Sequence, residues 1–187
     1  MRIEEDTKLD YKDVLIRPKR STLGSRKDVD LERGFTFRNY TPEVNDKLDE
    51  LMQGSYRHYR GIPIMAANMD GVGTFEMADT LATQKIFTCL VKTYTINELV
   101  SYFDSTESEG EIASAMRSEY VAMSIGITDA DHQKFRDVYE QTGSNLKYVC
   151  IDVANGYSER FATFVRGMRN NYPNIVIIAG NVVTGEM

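Results

Sequence analysis

From residue 62 onward, short apolar runs alternate with longer stretches of helical period. The runs lie at 62–67, 86–91, 120–124, 147–153 and 175–179, so successive starts are 24, 34, 27 and 28 residues apart. A strand plus its crossover helix occupies that length, and near-continuous apolar strands suit a parallel sheet covered on both faces. The intervening stretches carry helix-start chemistry. Thr95 followed by Glu98 is a capping box, in which hydroxyl and carboxylate each satisfy an orphan backbone donor, and Thr128 followed by Asp131 is a weaker version. Ser158 and Glu159 open a stretch with Phe161, Phe164, Val165 and Met168 on one face, a spacing that packing alone explains.

Repeated βα units predict an α/β protein, the front part of a (β/α)8 TIM barrel, a fold that typically needs about 250 residues. The 187 residues are expected to form the amino-terminal part of one such domain, with 1–61 an irregular lead-in and 62–187 the βα units. The lead-in holds a basic stretch from Arg17 to Lys27 and the run Phe35-Thr36-Phe37. Leu48, Leu51 and Met52 suggest a short surface helix within 41–60. After the last run, Gly180-Asn181 reads as a turn and Thr184 to Met187 as the first turn of a helix. A final strand without its cover is unfavourable, so the expectation is a truncated barrel, inactive by itself.

Composition narrows the partners. Lysine and arginine number 22 against 28 acids, a net charge of −6, which offers no broad basic surface for nucleic acid. No apolar run approaches the roughly 20 residues of a membrane span, and the charged start is unlike a signal peptide. The expectation is a cytoplasmic protein without membrane association. Cys89 and Cys150 each sit in an apolar run and read as small hydrophobes rather than as a disulfide or a metal cluster.

In such a barrel the active site lies at the carboxyl ends of the strands. Those ends carry Asn68, Met69 and Asp70; Lys92, Thr93 and Tyr94; Ser124 and Gly126; Asp152, Asn155 and Gly156; and Gly180 and Asn181. Lys92 and Asp152 are the sharpest pair. Either one buried alone would cost heavily; opposed across the mouth they could hold a polar substrate or shuttle a proton. A purely structural ion pair fits the same residues. The basic residues around Ser25 and Arg26 read equally as a solvated surface or as a phosphate contact.

The segment Tyr11-Lys12-Asp13-Val14-Leu15-Ile16-Arg17-Pro18-Lys19-Arg20-Ser21 resembles the amino-terminal signature of the IMP dehydrogenase/GMP reductase family. Ala66-Ala67-Asn68-Met69-Asp70, Asp152-Val153-Ala154-Asn155-Gly156-Tyr157-Ser158-Glu159 and Ala179-Gly180-Asn181-Val182-Val183-Thr184-Gly185-Glu186-Met187 resemble its GMP reductase branch. Only about 105–118 separates the second helix from the third strand, too short for the regulatory insert usual in IMP dehydrogenase. The resemblance implies NADPH-dependent reductive deamination of GMP to IMP and ammonia, in purine nucleotide interconversion, by a homotetramer. It also implies a cysteine thiolate that adds to purine C2 with loss of ammonia, and hydride delivered by the cofactor to C2 of that covalent intermediate, which releases the thiolate.

Residue by residue, the resemblance implies that Ser25 and Arg26 meet the adenosine phosphate end of the cofactor, reaching a neighbouring subunit. Asp152, Val153 and Ala154 line the nicotinamide pocket, and Gly180 and Asn181 border the cofactor. Lys92 lies near cofactor and substrate and handles protons with Asp152. Met69 packs against the purine, with Asn68 beside it. The nucleophilic cysteine, the potassium-binding loop, the threonine–glutamate pair and the phosphate site all fall beyond Met187. The chain departs from the family pattern at Val91 and Thr93, which flank Lys92 in place of two histidines, and at Gly71 and Ile125. Those departures suggest relaxed selection or altered kinetics. A non-catalytic half-barrel acting as an interaction partner, and an IMP dehydrogenase-like oxidoreductase, are the alternatives.

Overall fold

A computed structural model of the chain describes residues 7, 9–37, 57–104 and 110–185. They fall into two compact units, Met1–Asp30 and Leu31–Met187. The first contains two 3-10 turns, Tyr11–Asp13 and Arg26–Asp28. Ser25 caps the second turn: its hydroxyl oxygen accepts from Lys27 N at 3.2 Å, while Asp28 accepts from Ser25 N at 3.0 Å.

The second unit is built on a sheet ordered β1 to β6 in sequence. Its strands are β1 (Arg33–Phe37), β2 (Arg57–Ala66), β3 (Ile86–Cys89), β4 (Val121–Ile125), β5 (Tyr148–Asp152) and β6 (Val176–Gly180). β2 to β6 run parallel, and α1 (Phe75–Ala82), α2 (Ile96–Phe103), α3 (Gly110–Tyr120), α4 (Asp129–Thr142) and α5 (Glu159–Asn171) lie in the crossovers. The strands expected from apolar runs are therefore present, each within a few residues of its expected bounds.

Two elements were not expected. β1 pairs antiparallel with the first half of β2, with Arg33 opposite Gly61 and Phe37 opposite Arg57. Strand thus occupies 33–37 and 57–61, where a lead-in without regular structure was expected. Glu32 ties this hairpin down by accepting from Lys85 Nζ at 2.5 Å and Arg60 Nε at 2.8 Å. The rest of the expected surface helix, at 41–56, lies outside the described residues, as does the end of the expected last helical turn. The second unexpected element is α3, in the short gap before β4.

Alternation along the strands separates two faces. One face packs Leu90, Met123, Ile125, Val149 and Ile151 against Leu99, Phe103, Phe135 and Phe161 of the helices. The other gathers Tyr59, Phe87, Cys89, Ala122, Tyr148 and Val176. This second face is what a barrel turns inward. β4 is buried along its whole length, as a strand covered on both faces should be.

A charged network joins three helices on the outer layer. Arg117 of α3 is only 6% exposed and makes a bidentate pair with Asp79 of α1, both bonds at 2.8 Å. Tyr102 of α2 donates to the same carboxylate at 2.8 Å, and the guanidinium lies 4.5 Å from the centre of the Tyr102 ring. Planar guanidinium suits both contacts at once.

Candidate active site at the strand ends

β5 ends on Asp152, and β3 runs out two residues before a loop that carries Lys92. Backbone bonds fix that loop: Leu90 N donates to Ala122 O at 2.9 Å and Val91 N to Gly73 O at 2.8 Å. A Cβ on Gly73 would stand 2.5 Å from Cys89 O, so only glycine allows this approach. Lys92 then spans the mouth from β3 to β5. Its Nζ donates to Asp152 Oδ2 at 3.2 Å and to the Asp152 carbonyl at 3.2 Å. From the end of β2, Asn68 Nδ2 donates to that same Oδ2 at 3.1 Å. Two of the expected residues, from the loops after β2 and β3, therefore converge on a third, the carboxylate of Asp152 at the end of β5.

The pair is open to solvent, with the Lys92 and Asp152 side chains 42% and 30% exposed. An ion pair so placed contributes about 0–1 kcal/mol to stability. Its accessibility suits it to meeting a ligand.

The remaining expected residues are distributed around this centre. Val153 exchanges backbone bonds with β6 and the residue after it: its N–H donates to Gly180 O and its carbonyl accepts from Asn181 N, each at 2.9 Å. The peptide between Gly180 and Asn181 is cis. Ala154 follows, exposed, at the rim. Gly156 N donates to Asn181 O at 2.9 Å, and a Cβ there would lie 2.6 Å from that oxygen. Met69 is 63% exposed, in a turn whose carbonyl accepts from Val72 N and Gly73 N. Ser25 and Arg26 belong to the first unit, at the start of its second 3-10 turn.

Sequence reasoning overlooked two supports. Tyr157 holds the loop after β6, its phenol oxygen accepting from Val183 N at 2.7 Å and Thr184 N at 2.8 Å. A tyrosine directly after the Asn155-Gly156 dipeptide was the available signal. Asp131, expected only as a helix cap, also feels the charge of Lys92. Burial alone would raise its carboxyl, but bonds from the Thr128 hydroxyl and amide and from the Gly126 backbone hold it below the usual carboxylate range, with Lys92 adding to the effect. A Cβ on Gly126 would stand 2.6 Å from Asp131 Oδ2, so a side chain there would push that capping carboxylate aside.

The cysteines lie on the inward face. Cys89 donates to Met65 Sδ at 3.4 Å and is held protonated by its hydrogen bond with Cys150 and by burial. Cys150 is pulled below its ordinary range by bonds from Cys89 and Ser124 against the opposing effect of burial.

A model of the IMP dehydrogenase / GMP reductase domain matches residues 8–187. GMP reductase of Klebsiella pneumoniae is 49% identical over 187 residues, covering 100% of this chain and 47% of that protein. GMP reductase of Caenorhabditis elegans is 47% identical over 186 residues, covering 100% of this chain and 46% of its own length. The chain thus spans about half the length of the curated relatives it matches. An inosine 5' monophosphate dehydrogenase crystal structure from Legionella pneumophila shares the fold, with a TM-score of 0.53 over 66% of this chain and 34% of that one, at 23% identity. The convergent strand ends, the parallel sheet and the match over nearly the whole length agree, and the chain belongs to the IMP dehydrogenase / GMP reductase family.

Proposed function

We propose that the protein carrying this chain is a GMP reductase, converting GMP to IMP and ammonia with NADPH as reductant. The observation that carries this reading is the convergence of Lys92, Asn68 and Asp152 at the strand ends. An amine leaving as ammonia must gain a proton, and Lys92 is an ammonium donor held beside a carboxylate that can steady or recharge it. Asn68 spends its amide hydrogen on the same carboxylate, so it orients Asp152 as well as bordering the purine beside Met69.

The rim suits an amide-bearing ring. Lys92 and Asn68 donate, Asp152 accepts, and Ala154 leaves its edge open. In this reading Asp152, Val153 and Ala154 line the nicotinamide pocket and Gly180 and Asn181 border the cofactor, while Ser25 and Arg26 meet its phosphate end across a tetramer interface. NADPH, when bound, supplies hydride. The nucleophile in this reading is neither Cys89 nor Cys150, since both lie within strands, packed with Tyr59, Phe87 and Tyr148, rather than on a strand-end loop. That thiolate, with the potassium loop, belongs to residues outside this chain.

The test is steady-state oxidation of NADPH with and without GMP. Oxidation should depend on GMP, and Asp152→Asn should slow it by roughly 100-fold or more. Oxidation that is independent of GMP, or equal in the variant, would refute the assignment.

A further inference from the structure

We infer that Lys134 is a positioning residue for Lys92, acting from α4 through the backbone of the β3 loop. Lys134 Nζ donates to the Lys92 carbonyl at 2.8 Å. This is a rigid point of origin: Lys134 sits one turn beyond Asp131, within a helix opened by the Thr128–Asp131 capping box. Asp131 and Lys134 share one face at i, i+3 spacing, so α4 presents a carboxylate toward the Lys92 charge and an ammonium to the Lys92 backbone. Lys134 is half-buried, and desolvation lowers its affinity for a proton against the opposing pull of Asp131 and Glu98. Glu98 is fixed by its own capping box on Thr95, three residues past Lys92. The Lys92 loop is thereby held at the Lys92 peptide by α4 and at Thr95 by the start of α2.

A surface lysine that only solvated α4 would point outward and leave the carbonyl to water. Instead the long side chain reaches 42 residues back along the chain to one peptide, the one whose side chain bridges to Asp152. Fixing that peptide limits the directions from which Lys92 Nζ can reach Asp152 and any ligand beside it.

This inference rests on the proposed reductase only for its kinetic consequence. The experiment compares wild type, Lys134→Met and Lys134→Arg by pulse acetylation of each lysine, read by mass spectrometry. Lys134→Met keeps the aliphatic stem without the donor, and Lys134→Arg restores a donor. Lys92 should acetylate several-fold faster in Lys134→Met and close to the wild-type rate in Lys134→Arg, with Lys147 as an internal reference that does not change. Turnover with GMP should fall about tenfold in Lys134→Met with KM for GMP retained, as expected when positioning rather than binding is lost. Unchanged Lys92 acetylation in Lys134→Met would overturn the inference. Wild-type protein lacking GMP-dependent turnover would refute the reductase reading, while the acetylation pattern still decides the role of Lys134.

Discussion

Asp152 shows how one strand-end carboxylate collects partners from the loops after two other strands. Its Oδ2 takes Lys92 and Asn68 together, and its carbonyl takes Lys92 again. Removing the Asn68 donor leaves the ion pair with one restraint fewer. Asn68→Leu should therefore lower GMP-dependent turnover roughly tenfold, the scale of one hydrogen bond to a charged group, with little change in melting temperature. Asp131 gives a pH signature. Its folded carboxyl titrates below its unfolded value, so its contribution is present above about pH 4 and is lost as pH falls further. Urea titrations of wild type and Asp131→Asn should differ at neutral pH and converge on acidification. At Gly156 the limit is steric: alanine would press on Asn181 O, and Gly156→Ala should destabilise the β5–β6 end by about 1–3 kcal/mol.

At the scale of elements, legibility followed burial pattern. Near-continuous apolar runs marked β2 to β6 because a doubly covered strand has little choice of residue. The capping boxes at Thr95 and Thr128 formed as read, both reciprocal bonds being present in each. Thr95→Ala should cost about 1 kcal/mol, measurable by chemical denaturation. β1 was missed because Arg33–Phe37 is a short strand, mostly exposed, with no buried face to impose a pattern. α3 was missed because its inward face includes Arg117 rather than an apolar residue. That arginine is buried only because Asp79 and Tyr102, far away in sequence, supply its partners. Arg117→Met should destabilise by about 2–3 kcal/mol, since it strands a half-buried carboxylate.

For the whole molecule, the strand-end rule paired Lys92 with Asp152, and the two side chains meet at 3.2 Å. Lys92 and Asp152 were paired across the mouth because each lay at the end of an apolar run. What the sequence could not reveal is the support beneath them. Asn68 reaches Asp152 across 84 residues of chain, a pairing no local spacing encodes. The same holds for the electrostatic pull of Lys92 on Asp131, a residue that a cap motif explains fully at the level of one helix. Barrel geometry supplies these contacts by bringing successive βα loops to one rim.

The claim that this rim removes the purine amine as ammonia can be followed atom by atom. GMP carrying 15N in its 2-amino group, incubated with NADPH and the protein carrying this chain, should release one labelled ammonia for each NADPH oxidised, with IMP as the other product. NADPH oxidation without labelled ammonia, or no oxidation in the presence of GMP, would contradict the account.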